Sequence, residues 1–407
     1  AGTYLAVLTV TDDEGIPDRD SVVVGVSIPE DFMIVGDSLF GPANRRYTQI
    51  AIDETTGNIV CTWLQSEEGE DSLGLATYDV YFAIFDSTLA LIPPPDSQLT
   101  WPVLISDTNN LIFQFFLPPS IDIDQATGNI AIAWVDYNEI DRYKSFLRLF
   151  DVQGNPHPSY PNYPLQLGSQ DSADYVGWID LVFGDTNELF FSYVNYTLAS
   201  PSTVDSIKIA FNKLDVSSGS YLYSSDVYST ITHPSSLYYT FYPRKIDWSS
   251  QTGLVMLYIF RLEDDDEMGP ALQVLNNDLI IQKERLVIDS SSIYGDADID
   301  IDRSTGNILA TWMYKEIVQG GSGLTSYGGV EERYDTRIRA ALFSILDSSG
   351  LNFLIPPFAV APTKLGSQYD PKGLIIQDIN TLAFIFTEFS AYDPDPLDTI
   401  LLTGEAP

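Results

Sequence analysis

The chain has 407 residues, of which 44% are hydrophobic and 13% aromatic, so it can bury a sizeable core and does not belong to the disordered class. Fifty-seven acidic residues against 20 basic ones give a formal net charge of −37, which repels nucleic-acid phosphates and anionic membrane surfaces. In addition, no apolar stretch is long enough to span a bilayer. We therefore expect no nucleic-acid partner and no membrane insertion.

The first thirty residues stand apart from the rest of the chain. Tyr4–Thr11 alternates as a strand, Asp12-Asp13-Glu14-Gly15 reads as a turn, and Ser21–Ser27 is a second predicted strand. The run GTYLAVLTVTDDEG followed by DRDSVVVGV resembles the last two strands of a polycystic-kidney-disease (PKD) repeat. That resemblance implies that residues 1–29 are the C-terminal part of an immunoglobulin-like sandwich of a secreted or cell-surface protein.

The remaining residues, 30–407, are built from repeats, which decide the fold. Three segments are nearly identical, and they are Ile50–Trp63, Ile121–Trp134 and Ile299–Trp312. Weaker copies run from Ile179 to Tyr193, from Ile246 to Tyr258 and from Leu374 to Phe386. Each copy reads as strand, turn and strand with period-two alternation, and each ends in an aromatic residue at the same offset. The six aromatic residues are Trp63, Trp134, Tyr193, Tyr258, Trp312 and Phe386, and we expect them to pack between blades.

The turn inside the three strong copies has its own chemistry. The motif Thr-Gly-Asn places Gly57, Gly128 and Gly306 where a positive φ is expected. An aspartate lies four residues before each glycine, at Asp53, Asp124 and Asp302, where its carboxylate can accept hydrogen bonds from turn amides.

Third and fourth strands follow each pair, which predicts an all-β fold: a six-bladed β-propeller of four-stranded blades, preceded by the incomplete immunoglobulin-like (PKD-type) hairpin. The last unit has Leu374–Gln377, Leu382–Phe386 and Thr399–Leu402 but lacks a fourth strand. Residues 32–36, which include Met33-Ile-Val-Gly36, are predicted to close the sixth blade and leave no free sheet edge.

Evidence for catalysis is weak in the sequence. The chain has two histidines, His157 and His233, both beside prolines, and a nucleophilic or metal-hydrolase site would need one placed against partners. Six-bladed sialidases carry an arginine cluster and S-x-D-x-G-x-T-W boxes, and neither pattern occurs here. Carboxylate pairs for glycoside cleavage are uninformative because acidic residues are everywhere. The single cysteine, Cys61, lies in an apolar run and is predicted to be a core residue.

Alternating acidic residues suggest a metal site. Asp296, Asp298, Asp300 and Asp302 share one face of a predicted strand, as do Asp122 and Asp124. Oxygen-rich clusters suit Ca²⁺, so we predict calcium at these six aspartates; the alternative is turn caps and a solvated acidic channel. The runs Glu67–Asp71 and Glu263–Glu267 read as solvated loop tips, and Asn195-Tyr196-Thr197 is an N-glycosylation sequon.

Three functions are compatible with these patterns. The main interpretation is a non-enzymatic, extracellular structural or adhesive unit, one repeat of a larger surface protein or head-to-tail fibre. Its expected partners are copies of itself or neighbouring modules of the same polypeptide, and glycans. The alternatives are a carbohydrate- or protein-binding propeller and a secreted glycoside hydrolase. A pocket with paired acids of shifted pKa would favour the hydrolase.

Overall fold

The computed structural model describes most of the predicted strands. The described residues are 4–11, 17–24, 44–66, 78–93, 101–106, 118–138, 142–158, 164–167, 174–185, 187–200, 203–218, 220–229, 241–261, 268–289, 293–317, 323–324, 330–331, 334–346, 350–360, 367–376, 381–389 and 398–405. Every regular element within these ranges is a β-strand. Accordingly, these ranges contain no helix with the length and apolar character needed to cross a membrane.

The strands form a hairpin followed by six antiparallel sheets. The hairpin pairs β1 (Tyr4–Thr11) with β2 (Pro17–Val24). Blade 1 contains β3 (Asn44–Ile52), β4 (Ile59–Ser66), β5 (Asp79–Phe85) and β6 (Val103–Leu104). Blade 2 contains β7 (Ser120–Ile123), β8 (Ile130–Asn138), β9 (Arg142–Phe150) and β10 (Leu165–Leu167). Blade 3 contains β11 (Asp174–Phe183), β12 (Glu188–Ser200), β13 (Thr203–Asp215) and β14 (Ser220–Ser229).

The second half of the chain continues the same order. Blade 4 contains β15 (Phe241–Ser249), β16 (Gly253–Arg261), β17 (Met268–Leu275) and β18 (Ile281–Val287). Blade 5 contains β19 (Ile293–Ile301), β20 (Ile308–Ile317), β23 (Tyr334–Leu346) and β24 (Gly350–Ala359), with a short hairpin of β21 (Gly323–Leu324) and β22 (Val330–Glu331) inserted. Blade 6 contains β25 (Ser367–Ile376), β26 (Thr381–Phe389) and β27 (Asp398–Glu405).

The predicted fold class is confirmed, since the sheets follow each other as propeller blades. The first strand of each blade contacts the first strand of the next, in the order β3, β7, β11, β15, β19 and β25. The first strands therefore surround a common axis, and the other strands of each sheet lie progressively further out. Within the described residues blade 6 has three strands, and residues 32–36, which are predicted to complete it, lie outside the described ranges.

The N-terminal hairpin forms as predicted, with one difference in its second strand. β1 matches the predicted Tyr4–Thr11, whereas β2, at Pro17–Val24, begins four residues before the predicted Ser21–Ser27; residues 25–27 lie outside the described ranges. The register pairs Thr11 with Pro17, so the strand begins directly after the turn. The alternating pattern of Ser21–Ser27 identifies the apolar end of β2. It does not identify the polar start, residues 17–20, because charged residues such as Asp are uncommon in strands.

The cores lie between neighbouring blades and contain the repeated aromatic residues. Trp134 is buried in a cluster shared by blades 1 and 2, and Trp312 in one shared by blades 4 and 5. Tyr193 and Tyr258 occupy the corresponding clusters between blades 2 and 3 and between blades 3 and 4. Trp63 is fully buried in blade 1 beside Cys61 and Tyr81. The predicted packing of aromatics between blades is confirmed for Trp134, Tyr193, Tyr258 and Trp312. Among the described residues the cluster around Trp63 belongs to blade 1 alone, and the side chain of Phe386 is not among those described.

The turns between first and second strands also form as predicted. Gly57, Gly128 and Gly306 have φ values of 74°, 75° and 72°, in the left-handed region that glycine alone enters without strain. Asp53 Oδ1 accepts the Thr55 main-chain N–H at 2.9 Å. The same aspartate-capped turn recurs in blades 2 and 5. These turns fix where each first strand ends and hence which residues face the axis.

Candidate functional site

The first strands present polar side chains toward the axis at two levels. One level, called here the middle layer, consists of the residues that pair with the residue immediately before the repeated aromatic: Gln49, Ser120, Asp180, Lys245, Asp298 and Lys372. The other, called the turn-side layer, lies two residues nearer the turn and consists of Asp122, Asp247 and Asp300, together with Arg303 from the turn after β19.

Irregularities in the first strands help to direct these side chains. The pairing register shifts just before Lys245 in β15 and just before Lys372 in β25, and a similar shift precedes Ile179 in β11. Trp178, at the shift in β11, has a φ of 47°. β-Bulges change the direction of the side chains that follow them and are over-represented beside functional sites.

The middle layer is a chain of hydrogen bonds with balanced charge. Ser120 Oγ donates to Asp180 Oδ1 at 2.5 Å, and Lys245 Nζ donates to the same oxygen at 2.8 Å. Lys372 Nζ lies 3.3 Å from Asp298 Oδ1. Two carboxylates and two ammonium groups thus alternate around this level, each from a different blade.

The turn-side layer links neighbouring blades through carboxylates that accept main-chain N–H bonds. Asp122 Oδ2 accepts from Phe183 N at 2.6 Å, Asp247 Oδ2 from Ile301 N at 2.6 Å, and Asp300 Oδ2 from Ile375 N at 2.7 Å. In the middle layer Asp180 Oδ2 does the same for Ile246 N at 2.7 Å. Each carboxylate therefore bonds to the first strand of the following blade.

Arg303 crosses the axis. Its guanidinium extends from blade 5 to Phe183 O in blade 3, at 3.4 Å, and lies 3.9 Å from Asp122 Oδ2 in blade 2. Its side chain is 36% exposed and that of Asp122 is 21% exposed, so solvent reaches this level of the channel. The single guanidinium serves a layer that contains three carboxyl groups.

Burial and mutual repulsion raise the pKa values of the turn-side carboxyls. Burial, with a smaller contribution from neighbouring Asp298, raises the pKa of Asp300 to about 7. Burial and the nearby Asp300 carboxyl raise the pKa of Asp247 well above its ordinary value. Burial also raises the pKa of Asp122, although Arg303 opposes it. Asp247 and Asp300 are close enough to titrate as a coupled pair, and this pair retains a proton near neutral pH.

Lys245 has the opposite character. Burial alone lowers the pKa of its ammonium group, but the attraction of Asp180 and Asp298 more than reverses this effect, so the pKa lies above its ordinary value. Lys245 therefore remains a cation and belongs to the middle layer.

The six predicted calcium ligands do not meet at one point. Asp124 and Asp302 cap their own turns, accepting from Thr127 Oγ1 at 2.6 Å and from Thr305 Oγ1 at 2.5 Å. Asp122, Asp298 and Asp300 point toward the following blade and are occupied by the contacts described above, while Asp296 is exposed. Within the described ranges no group of three or more acidic, His or Cys side chains is arranged to hold a metal ion. Calcium binding at these residues stays a prediction.

The other singled-out residues are not part of the channel. Cys61 is buried, and burial raises the pKa of its thiol to about 12, which agrees with a core role. His157 lies in the turn after β9, where burial lowers its pKa while Asp151 raises it. His233 and both acidic runs lie outside the described residues.

Sequence reasoning singled out Asp122, Asp298 and Asp300 but missed most of the channel, including its other charged residues: Asp180, Lys245, Asp247, Arg303 and Lys372. Most of these residues lie in the weak copies of the repeat or beside the turn. The sequence does contain a signal for them. Charged residues occupy positions in the first strands where small or apolar residues would be expected. Only the circular order of the blades brings them to the same level.

Comparisons with known proteins agree with the fold. No protein-family model and no curated protein matches the chain. Among solved structures, the chain is similar to a Hadza microbial sialidase with a TM-score of 0.47 and 10% identity, over 84% of this chain and 63% of the sialidase. An ulvan lyase of a new polysaccharide lyase family gives a TM-score of 0.49 and 9% identity, over 98% and 90% of the two chains. The endo-arabinase of Bacteroides thetaiotaomicron gives 0.38 and 10%, over 70% and 92%.

These findings correct the main functional interpretation of the sequence. The names of these similar structures are those of a sialidase, an endo-arabinase and a polysaccharide lyase, which agree better with the alternative of a carbohydrate-binding propeller or a secreted glycoside hydrolase than with a non-enzymatic structural or adhesive unit. A purely structural unit also gains nothing from a layer of three partly buried carboxyl groups with a single guanidinium, because charged groups are unfavourable to bury. Identity of 9–10% shows the fold alone, and gives no support to the expected absence of catalysis. The PKD resemblance, the extracellular location and the predicted partners remain predictions.

Proposed function

We propose that this propeller is a carbohydrate-active protein that binds a glycan in the axial channel, at the turn-side layer. The observation that carries the proposal is the convergence of Asp122, Asp247, Asp300 and Arg303, from three blades, on one partly solvated level. Ligand sites typically combine a concave surface with a few converging polar groups. Carboxylate and guanidinium groups are hydrogen-bonding partners for sugar hydroxyls.

The geometry leaves hydrogen-bonding capacity for a ligand. Asp300 uses Oδ2 for the Ile375 N–H, and no described residue bonds to its Oδ1. With described residues, Arg303 makes one hydrogen bond, at 3.4 Å, and one ion pair, at 3.9 Å, whereas a guanidinium carries five N–H donors. The remaining acceptor and donors are therefore available to a sugar.

Binding can be tested by isothermal titration calorimetry with neutral, acidic and amino oligosaccharides. We expect Asp300→Asn and Arg303→Gln to weaken or alter binding, because both remove charge from the site while keeping a side chain of similar shape. In Asp300→Asn the amide oxygen can still accept the Ile375 N–H, so the blade contact is kept. Asp215→Asn, at the end of β13 and outside the channel, is the matched control for net charge.

The proposal is wrong if none of these sugars binds, or if the two channel variants bind them as the wild type and the control do. Far-ultraviolet circular dichroism and thermal unfolding of each variant would show that the fold is intact. A loss of binding with an intact fold is the supporting result.

Glycoside hydrolysis is a second candidate, favoured by the shifted pKa of Asp300. Glycosidases use two carboxyl groups, one of which is protonated near neutral pH and acts as the general acid. Asp300, with a pKa of about 7, has that property, and Asp247 is the carboxyl coupled to it. Release of reducing ends from the bound glycan would be measured for the wild type, Asp300→Asn, Asp247→Asn and Asp215→Asn. Activity that survives in both channel variants would exclude this role.

A further inference from the structure

The charges of the two channel layers indicate which kind of glycan the proposed site takes. In the middle layer Asp180 and Asp298 are matched by Lys245 and Lys372, and the contacts of 2.8 Å and 3.3 Å show that these cations are committed there. In the turn-side layer three carboxyls face one guanidinium. Arg303 makes its ion pair with Asp122, at 3.9 Å, and also lowers the pKa values of Asp247 and Asp300 from a greater distance. Among the described residues no cation is in direct contact with the Asp247–Asp300 pair.

The Asp247–Asp300 pair is held by neutral donors instead. Asp247 accepts the N–H groups of Trp248 and Ile301, at 2.7 Å and 2.6 Å, and Asp300 accepts that of Ile375 at 2.7 Å. Main-chain amides stabilise a carboxylate but do not neutralise it. A buried pair in this state either retains a proton or gains a positive group from outside.

We propose that the glycan carries a primary amine, as in an oligosaccharide of de-N-acetylated amino sugars, and that its ammonium group binds the Asp247–Asp300 pair. This inference rests on the proposed glycan-binding function and specifies the class of ligand. An ammonium group has three donors, which suit the uncommitted Oδ1 of Asp300 and neighbouring carboxylate oxygens, and charge-assisted hydrogen bonds are stronger than neutral ones.

The same charges act against acidic sugars. A uronate or sulfate at this level would meet two carboxyls and would have only Arg303, which already faces Asp122, as its counterion. The net charge of −37 adds a long-range contribution, because it attracts cationic ligands and repels anionic ones at low salt. An N-acetylated sugar has no charge and gains neither effect.

Binding of the amine is linked to protons. Near neutral pH the pair retains a proton, since the pKa of Asp300 is raised to about 7. An ammonium group that replaces this proton causes its release on binding. Titrations in two buffers of different ionisation enthalpy would detect the release, and the affinity for the amine should fall as the pH is lowered below 7.

The decisive experiment compares glucosamine oligosaccharides with their N-acetylated counterparts of the same length, and with galacturonic acid oligosaccharides, by calorimetry at pH 7 and low salt. We expect the free amine to bind at least about tenfold more tightly than the N-acetylated form, the usual order for one charge-assisted contact. Asp300→Asn should reduce that ratio to near one. Arg303→Gln, which removes the competing cation, should increase it. Asp215→Asn should leave it unchanged.

The outcomes separate this inference from the proposed function. If N-acetylated or acidic oligosaccharides bind as well as the free amine or better, and Arg303→Gln or Asp300→Asn alters that binding, the channel is a glycan site and the amine is wrong. If Asp215→Asn changes the ratio as much as Asp300→Asn does, the preference reflects overall charge and the amine contact is again wrong. If no oligosaccharide of any set binds, the proposed function falls as well.

Discussion

The second strands and the first strands of the same blades have opposite chemistry. Trp134 and Trp312, on second strands, are buried between blades in apolar clusters. Asp122 and Asp300, on the first strands of the same two blades, face the axis and bond to the next blade. The difference separates two tasks, because the apolar layer holds the ring together while the axial layer is free to vary in charge from blade to blade. Single substitutions can test that separation.

The largest effect is expected in the apolar layer. Trp134→Ala should lower the free energy of unfolding by about 3–5 kcal/mol, because it removes a large buried side chain and leaves a cavity between blades 1 and 2. It also removes the hydrogen bond from Trp134 Nε1 to Asp136 Oδ2, 3.0 Å long. Denaturant unfolding would measure the change. Leu222→Ala, at a 43% exposed position, is the control and should change little. An unchanged stability of Trp134→Ala would contradict the role given to this layer.

Ionisation of the axial carboxyl groups should make the free energy of unfolding depend on pH. The folded-state pKa of Asp300, about 7, lies above the ordinary value of 3.8, so the folded state binds more protons than the unfolded state between these values. The stabilising contribution is complete below about pH 4 and is lost as pH rises toward 7. Its slope is about −1.4 kcal/mol per pH unit for each proton.

Asp300→Asn should flatten this slope, whereas Asp215→Asn should not, because the pKa of Asp215 is lowered by its hydrogen bonds to Ser217 and Ser218. Thermal unfolding of the wild type, Asp300→Asn and Asp215→Asn from pH 4 to 8 would measure the slope of stability against pH. If stability instead rises through this range as steeply in the wild type as in Asp300→Asn, the axial carboxyls are not protonated in the fold.

A smaller effect is expected at two tight turns, the one between β15 and β16 and the one between β23 and β24. Gly253, in blade 4, has a φ of 83°, and a Cβ there would lie 2.3 Å from Leu275 O. Gly350, in blade 5, has a φ of 98°, but its nearest contact would be Leu286 Cδ2 at 3.9 Å. Both Gly→Ala variants share the left-handed strain of about 1–2 kcal/mol, and only Gly253→Ala adds a backbone clash. Chemical denaturation should therefore rank Gly253→Ala as the less stable, and an equal loss would show that blade 4 relaxes.

The smallest effect concerns Cys61, where we expect no reaction in the folded protein. The thiol is buried and its pKa is raised to about 12, so almost no thiolate forms near neutral pH. A maleimide reagent should label it only after unfolding. Rapid labelling of the native protein would place Cys61 at a surface and would contradict the packing of blade 1.

The sequence allowed the fold to be predicted because its signals are local. Alternation with period two and the Thr-Gly-Asn turns at Gly57, Gly128 and Gly306 mark strand pairs within about 14 residues of chain, and their repetition gives the number of blades. The candidate site is not local. Asp122 and Asp300 stand out in the sequence as members of alternating acidic runs, but Arg303 reaches Asp122 from three blades away, and no sequence spacing encodes that contact. The predicted metal site therefore rests on acidic residues that the fold directs to different hydrogen-bonding partners.

The carboxylate bonds between first strands also bear on amide hydrogen exchange. The innermost strand of a propeller blade has neighbours on one side only, so every second N–H of that strand faces the channel. Four of these groups, on Phe183, Ile246, Ile301 and Ile375, donate to an aspartate of the preceding blade. Their deuterium uptake should be slow although they lie at a sheet edge and beside solvent. An incoming peptide strand likewise finds these donors occupied, so the axis of the ring resists β-strand addition by another chain.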